Sequence, residues 1–206
     1  MQDIDSINCP IHSFETFGAV DGPGIRFVIF TQGCNLQCKY CQNRDTWAHQ
    51  GGTIYSVKEV LDKIERYKNY IIPSGGGVTV SGGEPLLHID FLIALFEELK
   101  KKGFSTAVDT SGVSNQKELE FAKYLDSKGK HMWIRQVIVP GYTDKEEDLL
   151  KLKEFISSLK TVDKVDFLAY HDMGKFKWTN LGLSYPLEGV RVATQDDIDR
   201  AKKIFA

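Results

Sequence analysis

The stretch Ile25-Arg26-Phe27-Val28-Ile29-Phe30 runs into Gly33-Cys34-Asn35-Leu36-Gln37-Cys38-Lys39-Tyr40-Cys41, an apolar strand followed by a cysteine-rich loop. Cys34, Cys38 and Cys41 stand at C-x-x-x-C-x-x-C spacing within eight residues, so their thiolates can converge on one centre without help from distant chain. Soft thiolates select zinc, copper(I) or iron–sulfur clusters, and the ligand count discriminates among them. A closed structural zinc site takes four protein ligands. Three thiolates on a four-iron cluster leave one iron open to a substrate. The competing reading is a zinc loop completed by Cys9, His12 or His49.

Working outward, 206 residues point to a single domain spanning 1–206 and large enough to bury a real core. The composition, 42% hydrophobic and 26% charged, is that of an ordinary globular protein. A net charge of −2 gives no electrostatic reason to expect nucleic acid or an anionic membrane as partner. No apolar run approaches the roughly 18 residues of a membrane span, and the N-terminus lacks a basic-then-apolar leader, so a cytoplasmic protein is expected. Four cysteines, three of them clustered, do not read as a disulfide framework. Cys9 reads as an ordinary unpaired residue.

Strand-like and helix-like stretches alternate along the chain. Strands are expected at 25–31, 77–81, 104–109, 132–139 and 164–170. Helices are expected at 56–70, with Ser56 and Glu59 as a capping box, and around Leu92, Leu95, Phe96 and Leu99, stopped by Gly103. Further helices are expected at about 115–127 with Gly129 at the exit, after Thr143 with Glu146 as cap, and after Thr194. This alternation predicts an α/β fold with a parallel sheet wrapped by helices. Closure takes eight strands, so five leave an open, partial β/α barrel. Chemistry on such scaffolds gathers at the C-terminal ends of strands. There lie the cysteine loop, Ser81 to Pro85, Asp109-Thr110 and His171, with Arg135 inside strand four.

Gly82-Gly83-Glu84 sits at one such end. Paired glycines let a ligand approach the backbone because no Cβ intervenes, although alone they also suit a plain turn. Asp21-Gly22-Pro23-Gly24 likewise reads first as a turn.

With Tyr40 just before its third cysteine, the loop resembles the cluster loop of the radical S-adenosylmethionine enzymes. The runs Asp21-Gly22-Pro23-Gly24-Ile25-Arg26, Gln32-Gly33-Cys34 and Tyr40-Cys41-Gln42-Asn43-Arg44-Asp45-Thr46-Trp47 are similar to one branch, the pyruvate formate-lyase activating enzymes, and the similarity covers most of the chain. The resemblance implies a [4Fe-4S] cluster on Cys34, Cys38 and Cys41, with S-adenosyl-L-methionine chelating the open iron. It implies that Gly82, Gly83 and Glu84 meet the amino group of that ligand, that Tyr40 and Asn43 flank its adenine, and that Arg135 and His171 contact it. It implies a monovalent cation on Asp109 and Thr110. Asp21 would touch the glycine backbone of a protein substrate, pyruvate formate-lyase, from which a 5′-deoxyadenosyl radical removes an α-hydrogen. A flavodoxin or ferredoxin-type electron donor and a monomeric state belong to the same expectation. The stretch from Tyr170 to Trp178 also matches this branch.

Relative to that family, material is missing after Gly112, on the order of 35 residues or about one strand–helix–strand unit. The missing strand carries an aspartate and a lysine that contact the ligand and the cation, and neither has a counterpart here. Two rivals therefore stand beside the activase: a small radical S-adenosylmethionine enzyme of the deazapurine carboxylate synthase kind, and a non-catalytic protein that docks on the lyase.

Overall fold

The computed structural model describes residues 4–112 and 118–206. These fall into two compact units. One runs to Gln37 and resumes at Asp45; the other takes in Cys38–Arg44 and the chain from Glu118 to Ala206.

In the first unit, β1 (Asn8–Gly18), β2 (Arg26–Thr31), β3 (Thr53–Ser56), β4 (Gly77–Gly82) and β5 (Ser105–Val108) form one sheet in the order β3-β1-β2-β4-β5. The strands β2, β4 and β5 are parallel, and β1 runs antiparallel to both its neighbours. Parallel register sets Phe27 beside Val78 and Ile29 beside Val80 on one face. That face packs with Val60 and Ile64 of α1 (Val57–Glu65) and with Phe91 and Leu95 of α3 (Ile89–Lys101), all buried. Burial of each such side chain is worth about 1.5–3 kcal/mol. Between these helices lies the short α2 (Lys68–Ile71).

By the two-residue period, Arg26, Thr79 and Ser81 occupy the opposite face. Arg26 is 1% exposed. It donates to Thr79 Oγ1 (2.9 Å), Ser105 Oγ (2.6 Å) and the Val78 carbonyl (2.7 Å). Thr79 passes the link on, its hydroxyl donating to the Asp21 carbonyl at 2.8 Å. Burial lowers the Arg26 pKa and the nearby Asp21 charge opposes that shift. The turn containing Asp21 is thus tied to a polar sheet face.

The second unit contains α4 (Glu118–Ser127), β6 (Met132–Ile138), α5 (Glu146–Ser157), β7 (Val162–Ala169), α6 (Lys175–Asn180) and α7 (Gln195–Phe205). β6 and β7 pair in parallel as a two-stranded sheet. Ile138, Leu149, Ile198 and Ala201 form its core, with Phe167 edge-on to Phe205 at 4.9 Å. Among the described residues no helix is long and apolar enough to cross a membrane.

All five expected strands form, each pairing in parallel with at least one other, and they close no barrel. They are shared between two sheets, with the break between β5 and β6. The expected discontinuity after Gly112 and the start of the helix expected from about 115 lie outside the described residues. The strands β1 and β3 were not expected. The helix expected at 56–70 is interrupted after Glu65, although its Ser56–Glu59 capping box is present. Gly103 and Gly129 take the positive φ of helix stops. The cap expected of Thr143 is a correction: Lys145 precedes α5 without a side-chain bond, because the Thr143 hydroxyl donates to the Val137 carbonyl (2.6 Å) and accepts from Val139 N (2.8 Å). Thr194 does cap α7, in a reciprocal box with Asp197.

Two predictions follow from these buried charges. Replacing Arg26 by Met keeps length but removes the donors to Thr79 Oγ1 and the Val78 carbonyl inside the sheet, and should cost about 2–4 kcal/mol in urea unfolding. An unchanged midpoint would contradict the bonding described. Asp197, 3% exposed, accepts from Arg191 (2.6 and 2.9 Å) and from Thr194 N (2.9 Å). The Arg191 bond leads the causes that hold its carboxyl well below the usual range. A depressed folded pKa gives stability that is full above the unfolded value near ~3.9 and lost as pH falls toward the folded one. Asp197→Asn should therefore cost about 1–2 kcal/mol at neutral pH and flatten the acid limb of the urea midpoint below about pH 4.

Candidate active site

The base of the cysteine loop is laced down in the first unit. Past β2, Gln32 donates to the carbonyls of Asp45 (3.2 Å) and Ala48 (2.8 Å). Gly33 N donates to the Thr46 carbonyl (2.8 Å) and Cys34 N to that of Trp47 (3.2 Å). The loop after β4 joins from the side, with Gly83 N on the Thr31 carbonyl (3.0 Å) and Glu84 N on the Gly33 carbonyl (2.9 Å). A Cβ at Gly83 would lie 2.0 Å from that Gly33 oxygen, so only glycine allows this approach. The glycine here admits the protein's own backbone, a purpose the sequence reading did not anticipate.

Glu84 is 2% exposed and saturated by four donors. Its Oε1 accepts from Leu86 N (3.0 Å) and Thr110 Oγ1 (2.5 Å), and its Oε2 from Ser111 N (3.0 Å) and Ser111 Oγ (2.5 Å). The carboxylate so ties the turn after β4 to the turn after β5. Ser81 Oγ donates to Asp109 Oδ2 at 3.1 Å on the same polar face. The first unit therefore carries Asp21, Cys34, Gly82, Gly83, Glu84, Asp109 and Thr110.

Cys38, Tyr40, Cys41, Asn43, Arg135 and His171 belong to the second unit. Cys41 N closes a turn on the Cys38 carbonyl (3.0 Å), and Asn43 N donates to Cys41 Sγ (3.3 Å). In the first unit Leu36 N donates to Cys34 Sγ (3.4 Å). Burial raises the Tyr40 pKa, as do the negative charge of Cys38 and a hydrogen bond to it. Lys177 Nζ donates to Asn43 Oδ1 at 3.2 Å. Arg135 is exposed on the face of β6 opposite the Ile138 core face, beside Asp166 of β7. His171 follows β7, with Nδ1 buried and lacking a hydrogen-bond partner among the described residues.

Several residues that sequence reasoning passed over also engage the segment Cys38–Arg44. Trp178 of α6 is buried, with Nε1 3.5 Å from the Cys41 carbonyl and the Arg44 guanidinium 5.2 Å from its ring. It stands edge-on to Tyr185, whose hydroxyl meets that of Tyr170 at 3.0 Å. Gln42 Nε2 donates to the Tyr40 carbonyl (3.2 Å) and the His171 carbonyl (3.0 Å). The available signal was the resemblance of the stretch from Tyr170 to Trp178 to the activating-enzyme branch, which marked the stretch without its contacts.

By their chemistry three soft thiolates suit an iron–sulfur cluster, while among the described residues no three His, Cys, Asp or Glu side chains are grouped to hold a single metal ion. None of the three loop cysteines is in a disulfide, and backbone amides reach two of their sulfurs. Two of the three completions that a zinc site would use, Cys9 and His12, are engaged elsewhere. Cys9 is buried in the core on β1 with its thiol pushed up to about 12 by desolvation. His12 pairs with Asp45 at 3.2 Å.

Residues 20–162 match the family described as "4Fe-4S single cluster domain". The solved structure of QueE from Escherichia coli is similar in fold, with a TM-score of 0.55 at 18% identity over 88% of this chain and 94% of that one. The pyruvate formate-lyase-activating enzyme of Streptococcus mutans is 41% identical over 245 aligned positions, covering 98% of this chain and 93% of that enzyme. That of Listeria monocytogenes is 42% identical over 95% of each, and the pyruvate formate-lyase 1-activating enzyme of Escherichia coli K12 is 39% identical over 95% and 94%. Since 245 aligned positions exceed the 206 residues present, at least 39 (245 less 206) have no residue of this chain opposite them, a shortfall of the size expected. At such identity over nearly the whole of both sequences, the chain belongs to the pyruvate formate-lyase activating enzymes, radical S-adenosylmethionine enzymes whose cofactors are a 4Fe-4S cluster and S-adenosylmethionine.

Proposed function

We propose that the chain, acting as one domain over 1–206, abstracts a hydrogen atom from a backbone glycine of pyruvate formate-lyase and thereby activates it. The observation that carries this is the 39–42% identity to enzymes bearing that name, maintained over almost the full chain. In this reading Cys34, Cys38 and Cys41 hold the cluster. The backbone of Gly82 and Gly83 receives the amino group of S-adenosylmethionine, and the saturated Glu84 keeps that backbone in place. Tyr40 and Asn43 flank the adenine, Lys177 orienting the Asn43 amide. Arg135 answers the methionyl carboxylate, His171 offers its unmatched Nδ1 to the ligand, and Asp109 with Thr110 supplies oxygens to a monovalent cation.

The bound cluster and S-adenosylmethionine together supply a 5′-deoxyadenosyl radical; the residues orient the reactants and exclude competing reactions. Asp21, its carbonyl held by Thr79, binds the glycine-bearing backbone. A flavodoxin or ferredoxin-type donor supplies the electron, and the enzyme works as a cytoplasmic monomer. The shortfall of at least 39 aligned positions favours a second reading, a lyase-binding protein without catalysis.

Anaerobic loading with iron and sulfide, followed by dithionite, S-adenosylmethionine and the lyase, should yield a glycyl radical signal by electron paramagnetic resonance. Deoxyadenosine without that signal would move the function to a small-molecule substrate. Neither product would support the non-catalytic reading. Asp21→Asn should raise the KM for the lyase about tenfold, the loss of one charged hydrogen bond, while deoxyadenosine formation without the lyase continues.

A further inference from the structure

Gln42 lies between Cys41 and Asn43, and its side chain is already committed. The amide nitrogen bridges the Tyr40 carbonyl at 3.2 Å and the His171 carbonyl at 3.0 Å, joining the cysteine turn to the end of β7. Beneath it lies Gly174, buried, at the entrance to α6. A Cβ there would come 2.6 Å from Gln42 Oε1 and 2.9 Å from Gln42 Cα. The second distance matters more. An amide oxygen can swing away, but a backbone Cα can move only with its chain, and the preceding residue is Cys41. The φ of −77° and ψ of −5° at Gly174 are open to any residue, so the close contact alone calls for glycine there.

We propose that Gln42, seated on Gly174, is a positioning residue that fixes the backbone of Cys41 for cluster binding. The proposal rests on Cys41 being a cluster ligand. Outer-shell groups of this kind orient the atoms that touch a metal, and losing one typically weakens its retention by about 10–100-fold. Two bonds to carbonyls require a donor, which glutamine has and a carboxylate of the same shape lacks.

Two variants separate positioning from packing. Gln42→Glu fills the same volume without the donated bonds, and Gly174→Ala pushes on the Gln42 backbone with every donor retained. Each would be loaded anaerobically beside the parent and compared in three ways: iron retained under chelator challenge, the resonance of the dithionite-reduced cluster, and the thermal midpoint of the cluster-free chain. Both variants should lose iron about tenfold faster and give a displaced cluster signal. Should Gly174→Ala fail to fold, Gln42→Glu, which adds no bulk, carries the test. Parent-like retention and spectrum in the variants, even with a lowered midpoint, would overturn the proposal by reducing Gln42 to filler. A parent that takes up no cluster would instead overturn the reading of Cys41, and this proposal with it.

Discussion

The amide of Glu84 donates to the Gly33 carbonyl at 2.9 Å, at a place where the first carbon of any side chain on Gly83 would collide with that oxygen. This approach of two backbones connects the parallel pairing of β2 and β4 to the cysteine loop. Their register, Arg26 to Thr31 against Gly77 to Gly82, delivers both strand ends to the same level. The two following loops then satisfy one another's polar groups, which burial would otherwise leave at a cost of about 1–3 kcal/mol each. Glu84 extends the connection to β5 through Thr110 and Ser111. A buried carboxylate is tolerated here because donors from the protein meet both oxygens.

What the sequence revealed was whatever depends on local pattern. Apolar runs ended by glycine or polar turns marked the five parallel-paired strands, Ser56 announced its helix through a capping box with Glu59, and Thr194 marked the last helix without its partner Asp197 being foreseen. The strand β1 stayed hidden because Asn8-Cys9-Pro10-Ile11-His12-Ser13 alternates weakly and contains a proline. β3 has only four residues. Thr143 satisfied the cap pattern, yet its hydroxyl accepts from Val139 N and donates to the Val137 carbonyl instead of receiving a helix amide. The cluster ligands and the loop after β4 were legible as spacing. Gln42, Trp178 and Tyr185 were not, since their importance comes from contacts between residues as many as 137 positions apart.

The parallel strands of the described residues are divided between two sheets. β5 ends the order of the five-stranded sheet, and β6 pairs with β7 in a separate one. The resemblance places the missing strand–helix material between those two strands. A parallel connection needs a crossover of a dozen or more residues, so removing such a unit deletes a strand and its covering helix together. The remaining strands keep their own partners, and each unit retains an apolar core of its own.

Both parallel sheets carry polar side chains on one face. A parallel sheet in an α/β protein is ordinarily covered on both sides and apolar throughout. In the first unit Phe27, Ile29, Val78 and Val80 follow that rule, while the alternate positions hold Arg26, Thr79 and Ser81 together with Val28 and Phe30. In the second unit Ile138 and Phe167 lie in the core, while the exposed Trp133, Arg135 and Lys164 share the other side with Asp166, Val137 and Leu168. Polar side chains on such faces bring desolvation costs and add little to folding unless they are matched, as Arg26 is by three acceptors. Of the residues that the family resemblance assigns to S-adenosylmethionine and its cation, Arg135 lies on such a face, whereas Glu84, Asp109, Thr110 and His171 follow the ends of β4, β5 and β7.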